Sequence, residues 1–110
     1  MGPQPKTLTP AMFQILVALA PGPSHGYGIM LELGEMDVKL GPGTLYRSIK
    51  QLLEAGLIAE TETDDERRRL YELTDAGAEL AAAEAQRLNA LIGKARRAGL
   101  LTHPSLGTSR

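Results

Sequence analysis

Leu40-Gly41-Pro42-Gly43-Thr44-Leu45-Tyr46-Arg47-Ser48-Ile49-Lys50-Gln51-Leu52-Leu53-Glu54-Ala55-Gly56-Leu57-Ile58 is the stretch on which the fold turns. Proline at 42 opens a helix, because its fixed φ suits the first turn, where a missing N–H removes no bond. Gly56 closes it. Residues placed at about 100° intervals between these limits put Leu45, Ile49, Leu52 and Leu53 on one arc. Thr44, Arg47, Ser48 and Gln51 fall on the opposite arc, with Tyr46 and Lys50 on its border and Glu54 as the lone acid. This predicted helix, about 42–55, therefore has one face for a core and one net positive, hydrogen-bonding face.

Reading outward toward the C-terminus, Leu57 to Thr63 alternates as a half-buried strand does. The acidic turn Asp64-Asp65-Glu66 and the arginines Arg67, Arg68 and Arg69 lead into Leu70 to Leu73, the returning strand of a hairpin. Thr74 caps a helix from Asp75 to about Ala98, roughly 36 Å long at the standard rise. Toward the N-terminus, Thr9 and Pro10 start a helix whose apolar face is Met12, Phe13, Leu16, Val17, Leu19 and Ala20, and Pro21-Gly22-Pro23 ends it. Ser24 or His25 caps a short second helix through Tyr27, Ile29, Met30, Leu31 and Leu33, with Gly34 as its stop. Val38-Lys39-Leu40 reads as a stub of strand. The fold class is mainly α with a small β-hairpin. Three helices and a hairpin after the third make a winged helix-turn-helix, in which the third helix enters a major groove and the hairpin tip reaches the backbone.

Composition narrows the function. A chain of 110 residues, 43% apolar and 23% charged, fits one domain. With no cysteine it has no thiol nucleophile, Cys-based zinc site or disulfide framework. The longest apolar run, Ile15 to Ala20, is too short to cross a membrane, and no signal-peptide pattern opens the chain, so the expected location is the cytoplasm. Net charge is −1, so attraction to nucleic acid has to come from local clusters. The only histidines are His25 and His103, and no nucleophile, paired carboxylates or metal-ligand spacing stands out. We expect no enzyme, metal or cofactor; His25 caps or braces the second helix, and Tyr27 packs against the first or third.

Several motifs recur in series: His25-Gly26-Tyr27-Gly28-Ile29, Leu40 to Arg47, Leu53-Glu54-Ala55-Gly56-Leu57-Ile58, Arg67-Arg68 to Tyr71, and Leu73-Thr74-Asp75-Ala76-Gly77. Together, over about 8–84, they resemble the PadR family of bacterial transcriptional regulators, in the short subfamily with a single C-terminal dimerisation helix. The resemblance implies a homodimeric winged-helix repressor that binds a palindromic operator and is often released by a small hydrophobic or aromatic effector. With no Trp and one Phe, the chain lacks an evident counterpart of the aromatic cage that some relatives place at the dimer interface.

These readings assign residues. Lys39, Pro42, Gly43, Thr44, Tyr46, Arg47 and Lys50 are the expected DNA contacts of the third helix and its approach; arginine grips a guanine edge or phosphate, and hydroxyls and the glycine-flanked helix start meet phosphate. Arg67 and Arg68 are the expected wing contacts, with Arg69 pointing the other way. On the last helix Ala78, Ala81, Ala85, Leu88, Ile92 and Ala95 recur at three- and four-residue steps, and Leu80 and Leu91 widen the stripe. Ala81, Ala85, Leu88, Leu91, Ile92 and Ala95 are the expected dimerisation face. An effector pocket between the last helix of one subunit and the first of the other would be lined by Met12, Phe13, Leu88 and Ile92. The chain divides into a flexible start (1–7), a DNA-binding domain (8–74), a dimerisation helix (75–98) and a flexible tail (99–110). The expected partners are double-stranded DNA, a second copy and a small hydrophobic effector, with no membrane. The net charge and the acids before Arg67 keep a second reading open, a winged-helix protein-interaction module without DNA affinity.

Overall fold

The computed structural model describes residues 8–61 and 69–101. The elements are α1 (Pro10–Leu19), β1 (Ser24–His25), α2 (Gly26–Glu35), α3 (Pro42–Glu54), β2 (Ile58–Thr61), β3 (Leu70–Leu73) and α4 (Asp75–Arg97). Of the four helices among the described residues, three start on a side chain that accepts one of the otherwise unpaired N–H groups of the first turn. Thr9 Oγ1 accepts from Met12 N at 3.1 Å, His25 Nδ1 from Gly28 N at 3.2 Å, and Thr74 Oγ1 from Gly77 N at 3.0 Å. His25 is thus the cap expected of it. α3 starts at Pro42 behind Gly41 with no capping side chain.

Three helices end in one way, with a residue in the left-handed region and two reversed hydrogen bonds, the Schellman arrangement. Gly56 (φ 75°) ends α3 and Gly99 (φ 83°) ends α4. Leu57 N donates to Leu52 O at 3.0 Å, and Leu100 N to Ala95 O at 2.9 Å. α2 departs from expectation here. It runs past Gly34, and its left-handed residue is Asp37, φ 61°, with Val38 N donating to Leu33 O at 2.9 Å and Asp37 N to Gly34 O at 3.0 Å. Those bonds use the backbone that the expected strand stub at Val38–Leu40 needed, and the Val38 and Leu40 side chains pack on the core instead. The third strand is β1. The antiparallel sheet has the order β1-β3-β2, with Ser24 opposite Tyr71 and Ile58 opposite Leu73.

The core is made by Ile15, Leu16 and Leu19 of α1, Ile29 and Leu33 of α2, Leu45, Ile49 and Leu52 of α3, and Leu57, Ile58 and Tyr71 around the sheet. Ser48 was expected on the outer face of α3 and lies inside, 5% exposed. It sits one turn from both Leu45 and Leu52, where a small side chain fits against the neighbouring elements. α4 has one buried residue, Gly77, and only its N-terminal part, through Leu80 and Ala81, packs on the core. The rest overhangs and gives the molecule its extents of 55 × 31 × 23 Å. Among the described residues no helix is long and apolar enough to cross a membrane.

Candidate nucleic-acid interface

α3 buries Leu45, Ile49 and Leu52, which turns Tyr46, Arg47 and Lys50 outward. Arg47 Nη2 donates a long 3.4 Å hydrogen bond to Thr44 Oγ1, so two of the expected contact residues already share one spot on the surface. Thr44 is half-buried; Pro42, Gly43 and Lys39 are exposed beside it. Gly41 has φ −67° and ψ 159°, a conformation open to any residue, and a Cβ at Gly41 or Gly43 would meet nothing within 4 Å. The turn itself therefore requires glycine at neither position. Their lack of side chains leaves the first N–H groups of α3 bare, at the positive end of the helix dipole.

Tyr46 has two roles to reconcile. The residue is 51% exposed, yet its hydroxyl end rests against Gly26, where a Cβ would overlap it. Tyr46 thus braces α3 against the start of α2 while leaving much of its edge to solvent. The glycine that makes room for it lies in the first turn of α2, and this contact was missed in the sequence. Glycine inside a helical span was the available signal, since glycine is a poor helix former and needs a reason there.

Arg67 and Arg68, expected at the hairpin tip, lie outside the described residues. Arg69, expected to point away from Arg68, is exposed and donates from Nη1 to Glu60 Oε2 at 3.2 Å, a surface pair that contributes little to stability. Tyr71, behind this pair, has its phenol pKa raised by burial and then by the nearby Glu60 carboxylate, against a lowering by Arg69. Tyr27 departs from expectation: it is 63% exposed and not packed on α1 or α3, because the buried side of α2 is carried by Gly26, Ile29 and Leu33.

Along α4, Ala81 is half-buried against this chain's own core, Leu88 and Ala95 are half-buried, and Ala85 is exposed. Leu91 and Ile92 are 57% and 42% exposed. Glu84, one turn before Leu88 and on the same side of the helix, accepts from Arg87 Nε and Nη2 at 2.9 and 2.7 Å, which holds its carboxyl below its ordinary range. Of the expected effector pocket, Met12 is a correction: at 2% exposure it is a core residue, one turn before Ile15 and Leu16, and lines no surface cleft. Phe13 is half-buried at the surface of α1. Two surface clefts among the described residues, of about 250 Å³ beside Pro21–Ser24 and about 160 Å³ beside Met30–Leu40, have none of Phe13, Leu88 and Ile92 in their lining.

Comparison with known proteins gives a consistent picture. The family model described as "Transcriptional regulator PadR-like family" matches residues 15–83. An uncharacterized 37.1 kDa protein in transposon TN4556 of Streptomyces fradiae is 38% identical over 85 residues, covering 76% of this chain; the chain spans only 24% of that relative's length. Among solved structures, a PadR family transcription regulator from Clostridium difficile superposes with a TM-score of 0.70 at 21% identity, over 79% of this chain and 95% of that one. RosR of H. salinarum gives 0.64 at 23% identity, over 84% and 97%. Bacillus subtilis PadR, solved in complex with operator DNA, gives 0.60 at 24% identity, over 67% and 45%. At these identities the structures show a shared fold.

Proposed function

The chain belongs to the PadR-like family of transcriptional regulators, and from that premise we propose that it is a homodimeric repressor that occupies a palindromic operator. Residues 8–74 are its DNA-binding unit and 75–98 its dimerisation helix. The observation that carries this reading is the outer face of α3, where Arg47 and Lys50 stand exposed beside a helix start with no side-chain cap and two glycines that the turn does not require. A backbone phosphate approaches such a start closely, accepts its N–H groups and is drawn by the dipole, while Arg47 reaches a base edge or phosphate and Lys50, Lys39, Thr44 and Tyr46 grip the strand. Arg67 and Arg68 clamp the flanking backbone as a wing. The overhanging part of α4, with Ala85, Leu88, Leu91, Ile92 and Ala95, pairs with its twin. Two-fold symmetry then sets the two α3 helices about one DNA turn apart, roughly 34–36 Å. A small hydrophobic effector releases the operator by binding a different subunit arrangement better than the DNA-competent one. Phe13, Leu88 and Ile92 line its cleft.

The test is selection of binding sites from a random duplex pool, followed by sedimentation of the purified chain with the selected duplex and with random duplex at two salt concentrations. The expected result is two chains per duplex, a two-fold symmetric site and affinity that falls steeply with salt. Arg47→Ala is expected to cost about 1–3 kcal/mol on the selected site and much less on random DNA. A dimer that enriches no sequence and ignores DNA at low salt overturns the reading in favour of a protein-interaction module.

A further inference from the structure

The start of α4 and the end of α3 meet at one joint. Resting on the operator reading above, we propose that Thr74 and Gly77 are positioning residues that lock α4 to the C-terminal end of α3, so that the dimerisation helix and the recognition helix move as one lever and fix the spacing between half-sites.

The joint is built from very few atoms. α3 leaves through Gly56, whose left-handed backbone (φ 75°) turns the Gly56 and Leu57 carbonyls toward the start of α4. The Thr74 hydroxyl donates to Gly56 O at 2.7 Å while accepting the Gly77 N–H at 3.0 Å, so a single oxygen ties the exit of one helix to the first turn of the other. The Thr74 N–H adds a bond to Leu57 O at 3.2 Å. Gly77 completes the contact: a Cβ there would overlap the Leu57 carbonyl oxygen, so the α4 backbone can rest on that carbonyl only because the side chain is missing. Glycine is the poorest helix former after proline, and this one is the buried residue of α4, so close approach is what its presence allows. Ile58, the next residue after Leu57, is paired across the sheet with Leu73, the residue before Thr74, which closes the joint from a second side. The path is short: a left-handed turn, a shared hydroxyl and backbone resting on backbone connect the two helices. Any change in how α4 meets its twin is therefore delivered to α3 as a rigid rotation, and the DNA spacing tolerated by the dimer is correspondingly narrow.

The test measures affinity for the selected operator and for versions with one or two base pairs inserted or removed between the half-sites; each pair moves a half-site by about 3.4 Å and about 34°. The proteins are the full chain, Thr74→Val, Thr74→Ser and Gly77→Ala. The wild type is expected to prefer its native spacing by a clear margin. Thr74→Val keeps the side-chain shape but loses the shared hydroxyl. It and Gly77→Ala are expected to lower that preference at least about five-fold, or to move the optimum. Thr74→Ser, which keeps the hydroxyl, restores the native ratio. Binding to an isolated half-site and the dimer mass stay as in wild type, which separates loosened geometry from general damage. If Gly77→Ala does not fold, the Thr74 pair decides. A folded Thr74→Val dimer with the wild-type spacing ratio overturns the joint while leaving the operator reading intact. A wild type that binds no duplex sinks the operator reading and this inference with it.

Discussion

At the scale of single residues, Tyr71 is the ionisable group that lies in the core among the described residues. Its phenol is raised above the ordinary tyrosine range, first by burial and then by Glu60. A folded-state pKa above the unfolded one means that the unfolded chain loses its proton first as pH rises. The resulting contribution is intact below about pH 10 and is lost as pH climbs from there through the folded value. Urea denaturation across pH 8 to 11 is expected to show stability falling at the alkaline end, and Tyr71→Phe to flatten that fall, measured against the same series for wild type. Loss of fold from other groups would leave the Tyr71→Phe curve as steep as the original. Tyr46 is the other residue whose position changes its meaning. Its exposed edge suits a phosphate, but its hydroxyl end against Gly26 also braces the angle between α2 and α3.

At the scale of elements, the helix stops separate what the sequence could say from what it could not. Gly56 and Gly99 end α3 and α4 in the left-handed region, and Gly56 was legible because glycine alone adopts that conformation without cost. The end of α2 was not legible. Gly34 offered the usual signal, but the helix continues to Glu35 and stops on Asp37 at φ 61°, because Val38 then reaches the core and its N–H pairs with Leu33 O. The strand stub was misplaced for the same reason: pairing with β3 falls to Ser24–His25, a segment too short for any alternation to mark. The outer face of α3 was read correctly except at Ser48, since periodicity assigns a direction but not whether a small polar side chain is covered by a neighbour. Gly26 and Gly77 carried a signal, glycine within a helix, without saying what approached it. From this follows a paired expectation. Asp37→Gly should stabilise by about 0.5–1 kcal/mol by removing left-handed strain, whereas Gly56→Ala should destabilise by about 1–2 kcal/mol by introducing it. Chemical denaturation midpoints with unchanged slopes check both, and effects of equal sign would contradict the assignment.

At the scale of the whole molecule, α4 is the element that does not fit inside its own chain. Only its N-terminal part packs on the core, and Leu91 and Ile92 remain largely open to water on a helix of 23 residues. Replacing both with Ser should weaken the proposed dimer by at least about 2 kcal/mol, roughly 30-fold in dissociation constant, while each protomer keeps its helix content. Sedimentation equilibrium and circular dichroism on the same samples check this; an unchanged dimer would place the interface elsewhere. The overhang has a further consequence for supply. In the proposed dimer, a protomer whose last helix is completed by a twin would borrow part of its stability from mass action, so its melting temperature would climb with total concentration and dilution alone would weaken the fold. A regulator built this way is most durable when abundant, and a scarce, newly made chain is the form most open to proteases. The overhang proposed to space two recognition helices would then also make the lifetime of the regulator depend on its own dose.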